Sequence, residues 1–396
     1  MVWRQGWSPS ILVFVAFALG CGRVPALPFP DHTKDYLPAV TNPGFNAFTE
    51  AAQMVEDSCA KWIGRISFTQ GQKTESIKAS AKAISKIRTG LSEGVNWVHR
   101  PYSPLSPPGE RRGWRFIGRV LVWRIQNSIE SSDFDNAIAD CIAAVRMGVA
   151  LTGGDAIDAN LGHTIVREST AALWPRFADF SVSQLSRLYE AMRNSLEQAP
   201  TLETTLRNER ATMLKAVQTV QDCFIDGDLK PLDEALGHII APATTYLKRL
   251  KSRSNREQVA YFRGFAAEAT QEADSHVAMA QTPPAQWKPF TDPTGDRPWK
   301  RFASAYLRSG RELLVWWVEF QSRMRLFALD TALLAKLKSS GLPKDLSRFP
   351  RFLSTDPYSG QSFRYLSQGR DYQLYGWGKD MRDDSGDSNR DAVPER

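Results

Sequence analysis

Over residues 132–150, Phe134, Ala137, Ile138, Cys141, Ile142, Val145 and Val149 fall at i, i+3, i+4, i+7, i+8, i+11 and i+15, one continuous apolar face of an amphipathic helix. Ser132 or Asp133 can cap its start, and Gly153-Gly154 ends it. Residues 183–196 repeat the signal through Leu185, Leu188, Tyr189, Met192 and Leu196, and similar stripes occupy 44–63, 74–93, 114–129, 156–174, 203–224, 230–250 and 255–280. Short Gly, Pro or Asp connections favour antiparallel neighbours. No period of about 34 residues persists, so the expected fold is mainly α, an irregular array of antiparallel helical hairpins rather than a repeat solenoid.

The longest helical stretch is 299–340, with Leu313, Leu314, Trp316, Trp317, Phe320, Met324 and Phe327 on a broad apolar face. Arg311, Glu312, Glu319, Arg323, Arg325 and Asp330 interrupt it, which excludes a membrane span and predicts a central helix buried by the body. Two Pro/Gly-rich segments, 100–113 and 282–298, break the helical pattern as a long loop and a boundary. After Gly341-Leu342-Pro343, Asp356-Pro357-Tyr358-Ser359-Gly360 reads as a turn. Ser362 to Leu366 and Tyr372 to Trp377 then read as short aromatic strands joined through Gln368-Gly369.

Composition narrows the class. The 396 residues are 42% hydrophobic, enough for a buried core, and a net charge of +7 spread along the chain gives no footprint for nucleic acid. The start carries an address. Arg4 and the apolar run Ile11 to Leu19 read as an export signal, and the run is too short for the roughly 20 residues of a membrane-spanning helix. Two processing readings stand. Ala18-Leu19-Gly20-Cys21 is a lipobox-like sequence that would lipidate Cys21, and Val24-Pro25-Ala26 is a site for ordinary cleavage after Ala26. Cys59, Cys141 and Cys223 then remain, permitting at most one disulfide, with Cys141 on an apolar helical stripe. The expected organisation is an export signal over 1–26, a Pro-rich tether over 27–43, a helical body over 44–281, a linker over 282–298, the long helix over 299–340, a small strand-turn-strand unit over 341–387 and a polar tail over 388–396.

In the C-terminal unit, Gly341-Leu342-Pro343 is followed by Asp356-Pro357-Tyr358-Ser359-Gly360-Gln361-Ser362-Phe363-Arg364-Tyr365 and then by Tyr375-Gly376-Trp377-Gly378-Lys379-Asp380. In this grammar the stretch from about Met324 to Asp387 resembles the soluble region of the major pseudopilins of type II secretion. The whole chain looks like uncharacterised secreted or lipoprotein-like bacterial proteins with the same C-terminal grammar behind a helical body. The resemblance implies a small α+β unit and a calcium loop, in which Asp380 would be the first ligand, with Asp383, Asp384 and Asp387 nearby. It does not extend to the filament-building N-terminal helix, whose place an export signal takes.

Candidate chemistry is sparse. His32, His99, His163, His238 and His276 are scattered, and no HExxH, GxSxG or phosphate-binding loop is present. Glu168 lies on one apolar face with Leu161, Ile165 and Ala172, and Arg210 on another with Leu206, Met213 and Val217. A charge in an apolar stripe must be paired or open into a cavity, so the two are expected to meet as a buried ion pair or to line a pocket. Three functions follow. The first is a non-catalytic adaptor or assembly protein of the cell envelope, periplasmic or held at the outer membrane by a lipid anchor, with an envelope protein partner and no nucleic acid. The second is an exported hydrolase using carboxylates such as Glu168 and Glu209. The third is a glycan or small-molecule binder, marked by Trp97, Trp114 or Trp287 beside a groove.

Overall fold

A computed structural model describes residues 27–32, 42–98, 100–103, 105–106, 108–232, 234, 245–282, 284–287, 300–380, 382–388 and 391–395. The export signal with Cys21, His99, His238 and residues 283 and 288–298 of the linker lie outside the described residues. The fold is mainly helical, with one small two-stranded antiparallel sheet. Among the described residues the helices include α1 (Pro43–Cys59), α2 (Gln70–Ala79), α3 (Ala81–Glu93), α4 (Glu110–Glu130), α5 (Phe134–Leu151), α6 (Ala156–Leu173), α7 (Val182–Glu197), α8 (Leu202–Asp226), α9 (Asn255–Ala280), α10 (Lys300–Ser339) and the short α11 (Arg351–Ser354). A 3₁₀ turn, Trp174–Asp179, follows α6. Among the described residues no helix is long and apolar enough to cross a membrane.

Local chemistry sets the ends. Asp133 caps α5 by accepting from the Asn136 amide, and Ser181 and Ser254 close capping boxes at α7 and α9 with Gln184 and Glu257. The stripe over 74–93 is two helices rather than one, because Ser80 stands between α2 and α3 and ends the first with its own amide. The loop expected over 100–113 is shorter than its composition suggests, since α4 begins at Glu110, directly after Pro108-Gly109.

The apolar faces merge into packed cores. One joins α1, α3, α4, α5 and α6 around Phe48, Ile87, Ile117, Leu121 and Met147. Another joins α5, α6, α7 and α10 to the C-terminal unit around Trp174, Phe177, Phe327 and Leu353. A third lies between α8 and α9 around Phe224 and Phe262. α5 and α6 cross at glycine: a Cβ on Gly162 would come within 2.2 Å of the Gly148 carbonyl, and one on Gly148 within 2.6 Å of the Gly162 carbonyl. α10 packs against α6, α7 and α9 with Leu313, Leu314, Met324 and Phe327 buried, so it is the central helix its apolar face predicts.

Residues 27–32, expected to extend as part of a solvated tether, are docked. Phe29 meets Phe224 and Phe262 at 6.3 and 5.9 Å, and Gln221 Nε2 donates to the Pro30 carbonyl at 2.7 Å. An aromatic residue within a proline-rich segment suffices to anchor it to an open apolar face.

The C-terminal unit is a hairpin of β1 (Arg364–Gln368) and β2 (Asp371–Tyr375), paired Arg364 to Tyr375 and Gln368 to Asp371 across Gly369-Arg370. Gly369 takes φ +64°, a conformation that favours glycine in so tight a loop. The unit hangs on Asp330 of α10, which is fully buried and accepts from Trp174 Nε1 at 2.8 Å and the Tyr372 hydroxyl at 2.7 Å. Asp356 orders the preceding turn by accepting from the Tyr358, Ser359 and Trp377 amides.

Candidate functional site

The break between α5 and α6, Gly153-Gly154-Asp155, is where the described charges concentrate. Asp155 caps α6 by accepting from the Ile157 and Asp158 amides at 3.0 and 3.1 Å. Two acids at the cap and third positions of one helix suit the positive end of its dipole but, once buried, need a cation. Arg111, on the first turn of α4, supplies it. Its Nε donates to Asp158 Oδ1 at 2.6 Å, and its Nη2 donates to both Asp155 oxygens at 2.8 Å. The Tyr102 ring stacks on the guanidinium at 4.2 Å.

α8 clamps the same break from the other side. Thr205 donates to the Thr152 carbonyl at 2.6 Å, Asn208 to the Gly153 carbonyl at 2.7 Å and Thr212 to Asp155 Oδ2 at 3.2 Å, while Glu209 accepts from the Ala156 amide at 2.9 Å. These four polar residues stand at i, i+3, i+4 and i+7, so α8 carries a polar stripe beside its apolar one. Burial, then the Asp155 charge, push the Asp158 carboxyl up to about 7 against the opposing pull of Arg111. One guanidinium faces two buried carboxylates, so the cluster holds a proton near neutrality.

In front of this cluster lies a cleft of about 330 Å³ between α4, α6 and α10. Ala156, Leu161 and Ile165 line it with Trp316, and Arg115, Glu168 and Glu312 bring charge to it. Ile157, in the lining, is 48% exposed, and Val315 beside Trp316 is 39% exposed. Among the described residues no ion pair involves Arg115, Glu168 or Glu312.

The expected meeting of Glu168 with Arg210 does not occur. Glu168 is exposed at the cleft because the face of α6 that buries Leu161 and Ile165 opens to solvent one turn later. Arg210 reaches across to α9 and pairs with Asp274 at 3.3 Å, both groups well solvated. Glu209, its neighbour, is the buried one, holding the Ala156 amide. The sequence signal that went unused was Gly-Gly-Asp-x-x-Asp at the start of α6 together with the Thr205, Asn208, Glu209, Thr212 stripe.

The acids of the implied calcium loop have other contacts. Asp383 pairs with Arg364 at 3.0 Å, Asp380 accepts the Arg382 amide, and the Asp384 amide donates to Asp391. Among the described residues no group of three or more His, Cys, Asp or Glu side chains is placed to hold a metal ion. Cys59, Cys141 and Cys223 are free thiols, and burial pushes the Cys141 thiol well above its ordinary range. His163 stacks on Phe320 at 4.4 Å, and burial drives it down to about 3, so it is a neutral core residue.

A second opening, about 720 Å³, lies between the loop after α3, α5 and α7, and half-buried Trp97 stands at its edge. Trp114 is core, and Trp287 donates to the Met279 carbonyl at 2.9 Å. No family model matches the chain, and no curated protein or solved structure matches it either.

Proposed function

We propose that this chain is an exported cell-envelope protein, periplasmic or held at the outer membrane through Cys21, that acts non-catalytically as an adaptor for an envelope protein partner. The observation that carries the reading is the cleft in front of α6. Exposed Ile157 and half-buried Trp316 line it, and Arg115, Glu168 and Glu312 ring them without a described ion-pair partner. An apolar centre with a tryptophan inside a charged rim is the anatomy of a protein interface. The Arg111 cluster behind it holds the first turn of α6 rigid, which lowers the ordering cost of docking. The reading takes the 341–387 unit as pseudopilin-like, set on α10 through Asp330, and assigns the protein no cofactor.

In-cell crosslinking of the tagged mature protein in its native envelope, followed by affinity purification and mass spectrometry, tests this. One stoichiometric envelope protein, lost with the Ile157→Asp/Trp316→Ala variant, is expected. Recovery of the chain alone contradicts it, and a rise in Tm with calcium would overturn the cofactor-free part. The hydrolase reading keeps one observation in its favour, that Glu168 and Glu312 line one cleft with Trp316. Glycan hydrolysis by the purified protein, abolished by Glu168→Gln, would establish it instead.

A further inference from the structure

The opening at Trp97 differs in kind from the cleft at Trp316. Its floor is apolar, with Ile142, Val149 and Ala191, and its walls carry Asn96 from the loop after α3 and Asn194 and Gln198 from the exposed end of α7. Arg146 is the one charged side chain among its lining residues, and its Nη2 is already bound to the Leu91 carbonyl at 2.7 Å. Among the described residues neither a carboxylate nor a lysine lines the groove.

Trp97 is held in place before any ligand arrives. It packs edge-on against Phe45 at 5.1 Å and Trp114 at 5.0 Å, and the Asn42 side-chain amide donates to the Asn96 carbonyl. Gly153 makes room for it, because a Cβ there would come within 2.7 Å of the Trp97 Cβ. A fixed indole edge, an apolar floor and several side-chain amides make a concave site of ordinary ligand size.

The chemistry of the lining selects the ligand. A side-chain amide offers a donor and an acceptor together, the pair that adjacent hydroxyls on a pyranose ring match. An indole presents a flat apolar surface that the C–H face of the same ring can cover. Phosphates and nucleotides call for more cations than one partly engaged arginine, and an acyl chain would desolvate the amides of Asn96, Asn194 and Gln198, of which only Asn194 has a side-chain partner, Arg193 at 3.3 Å, among the described residues. We infer that the Trp97 groove is a binding site for an uncharged oligosaccharide, separate from the protein-docking cleft and independent of whether that cleft takes a partner.

The test uses the purified mature chain with cellobiose, maltose and N,N′-diacetylchitobiose as probes, each titrated to millimolar concentration and followed by tryptophan fluorescence and calorimetry. Saturable 1:1 binding of at least one is expected, weakened at least tenfold by Trp97→Ala and by the surface variant Asn194→Ala/Gln198→Ala, and unchanged by Trp316→Ala. The surface variant decides the matter if Trp97→Ala does not fold. Absence of saturable binding by all three probes overturns the inference. So does binding that survives the surface variant, equal affinity for a glucuronate-containing disaccharide, or preference for an uncharged peptide.

Discussion

The two openings lie near one chain break, Gly153-Gly154-Asp155, and differ in character. Gly153 leaves space for Trp97 and backs a groove with amides and a single arginine. Two residues on, Asp155 draws Arg111 into the interior, and the helix it starts presents Ile157 and Glu168 to a cleft ringed by Arg115, Glu168 and Glu312. A chain break without a side chain thus lets an aromatic approach, and a chain break with a carboxylate recruits a cation and stiffens the wall. Lining chemistry, rather than volume, separates the two: the larger opening is the one with fewer charges.

Substitutions that break this pairing of sites should act in a clear order. Arg111→Ala leaves Asp155 and Asp158 buried without their cation and should cost about 3–5 kcal/mol in urea denaturation, degrading both openings together. Trp97→Ala should reduce saccharide binding at least tenfold while leaving partner capture at the Trp316 cleft intact, a result that would sharpen the division between them.

Acidity gives a third handle, with two groups pulling in opposite directions. Asp158 is raised in the fold from 3.8 to about 7, so the native state binds the extra proton between those values. Its contribution is present at low pH and is lost as pH rises from about 4 to about 7. His163 is lowered from 6.5 to about 3, so its contribution is present above about 6.5 and lost as pH falls toward 3. Stability measured against pH should therefore tilt one way in Asp158→Asn, which loses the falling limb near neutrality. It should tilt the other way in His163→Phe, which loses the acid limb. The smallest effect belongs to the exposed Lys379–Glu319 pair at 2.9 Å, where Lys379→Ala should change stability by less than about 1 kcal/mol.

Much of the helical frame was legible in the chain. The stripe over 255–280 is α9, the stretch 299–340 is α10 to within a residue at each end, and Gly153-Gly154 does end α5. Periodicity reads such elements because each buries one face against the body. It is blind to chemistry at the ends of helices, so the Ser80 break and the start of α4 at Glu110 went unread. The site was legible only in fragments. Glu168 stands out as an acid on an apolar line, but which group it meets cannot be deduced from a stripe, since helix ends and crossing angles decide which groups meet. The buried cluster joins residues 44 and 47 positions apart in the chain, and no local pattern reports a contact of that range.

The proposed docking of an envelope protein at the cleft in front of α6 can be tested in place. The direct measurement places the photo-crosslinking residue p-benzoylphenylalanine in native cells either in place of Ile157, at the cleft, or in place of Ile66, which is 96% exposed and does not line it. The account predicts one discrete protein adduct from position 157 and none from position 66. No adduct at 157, or the same adducts from both positions, would contradict it.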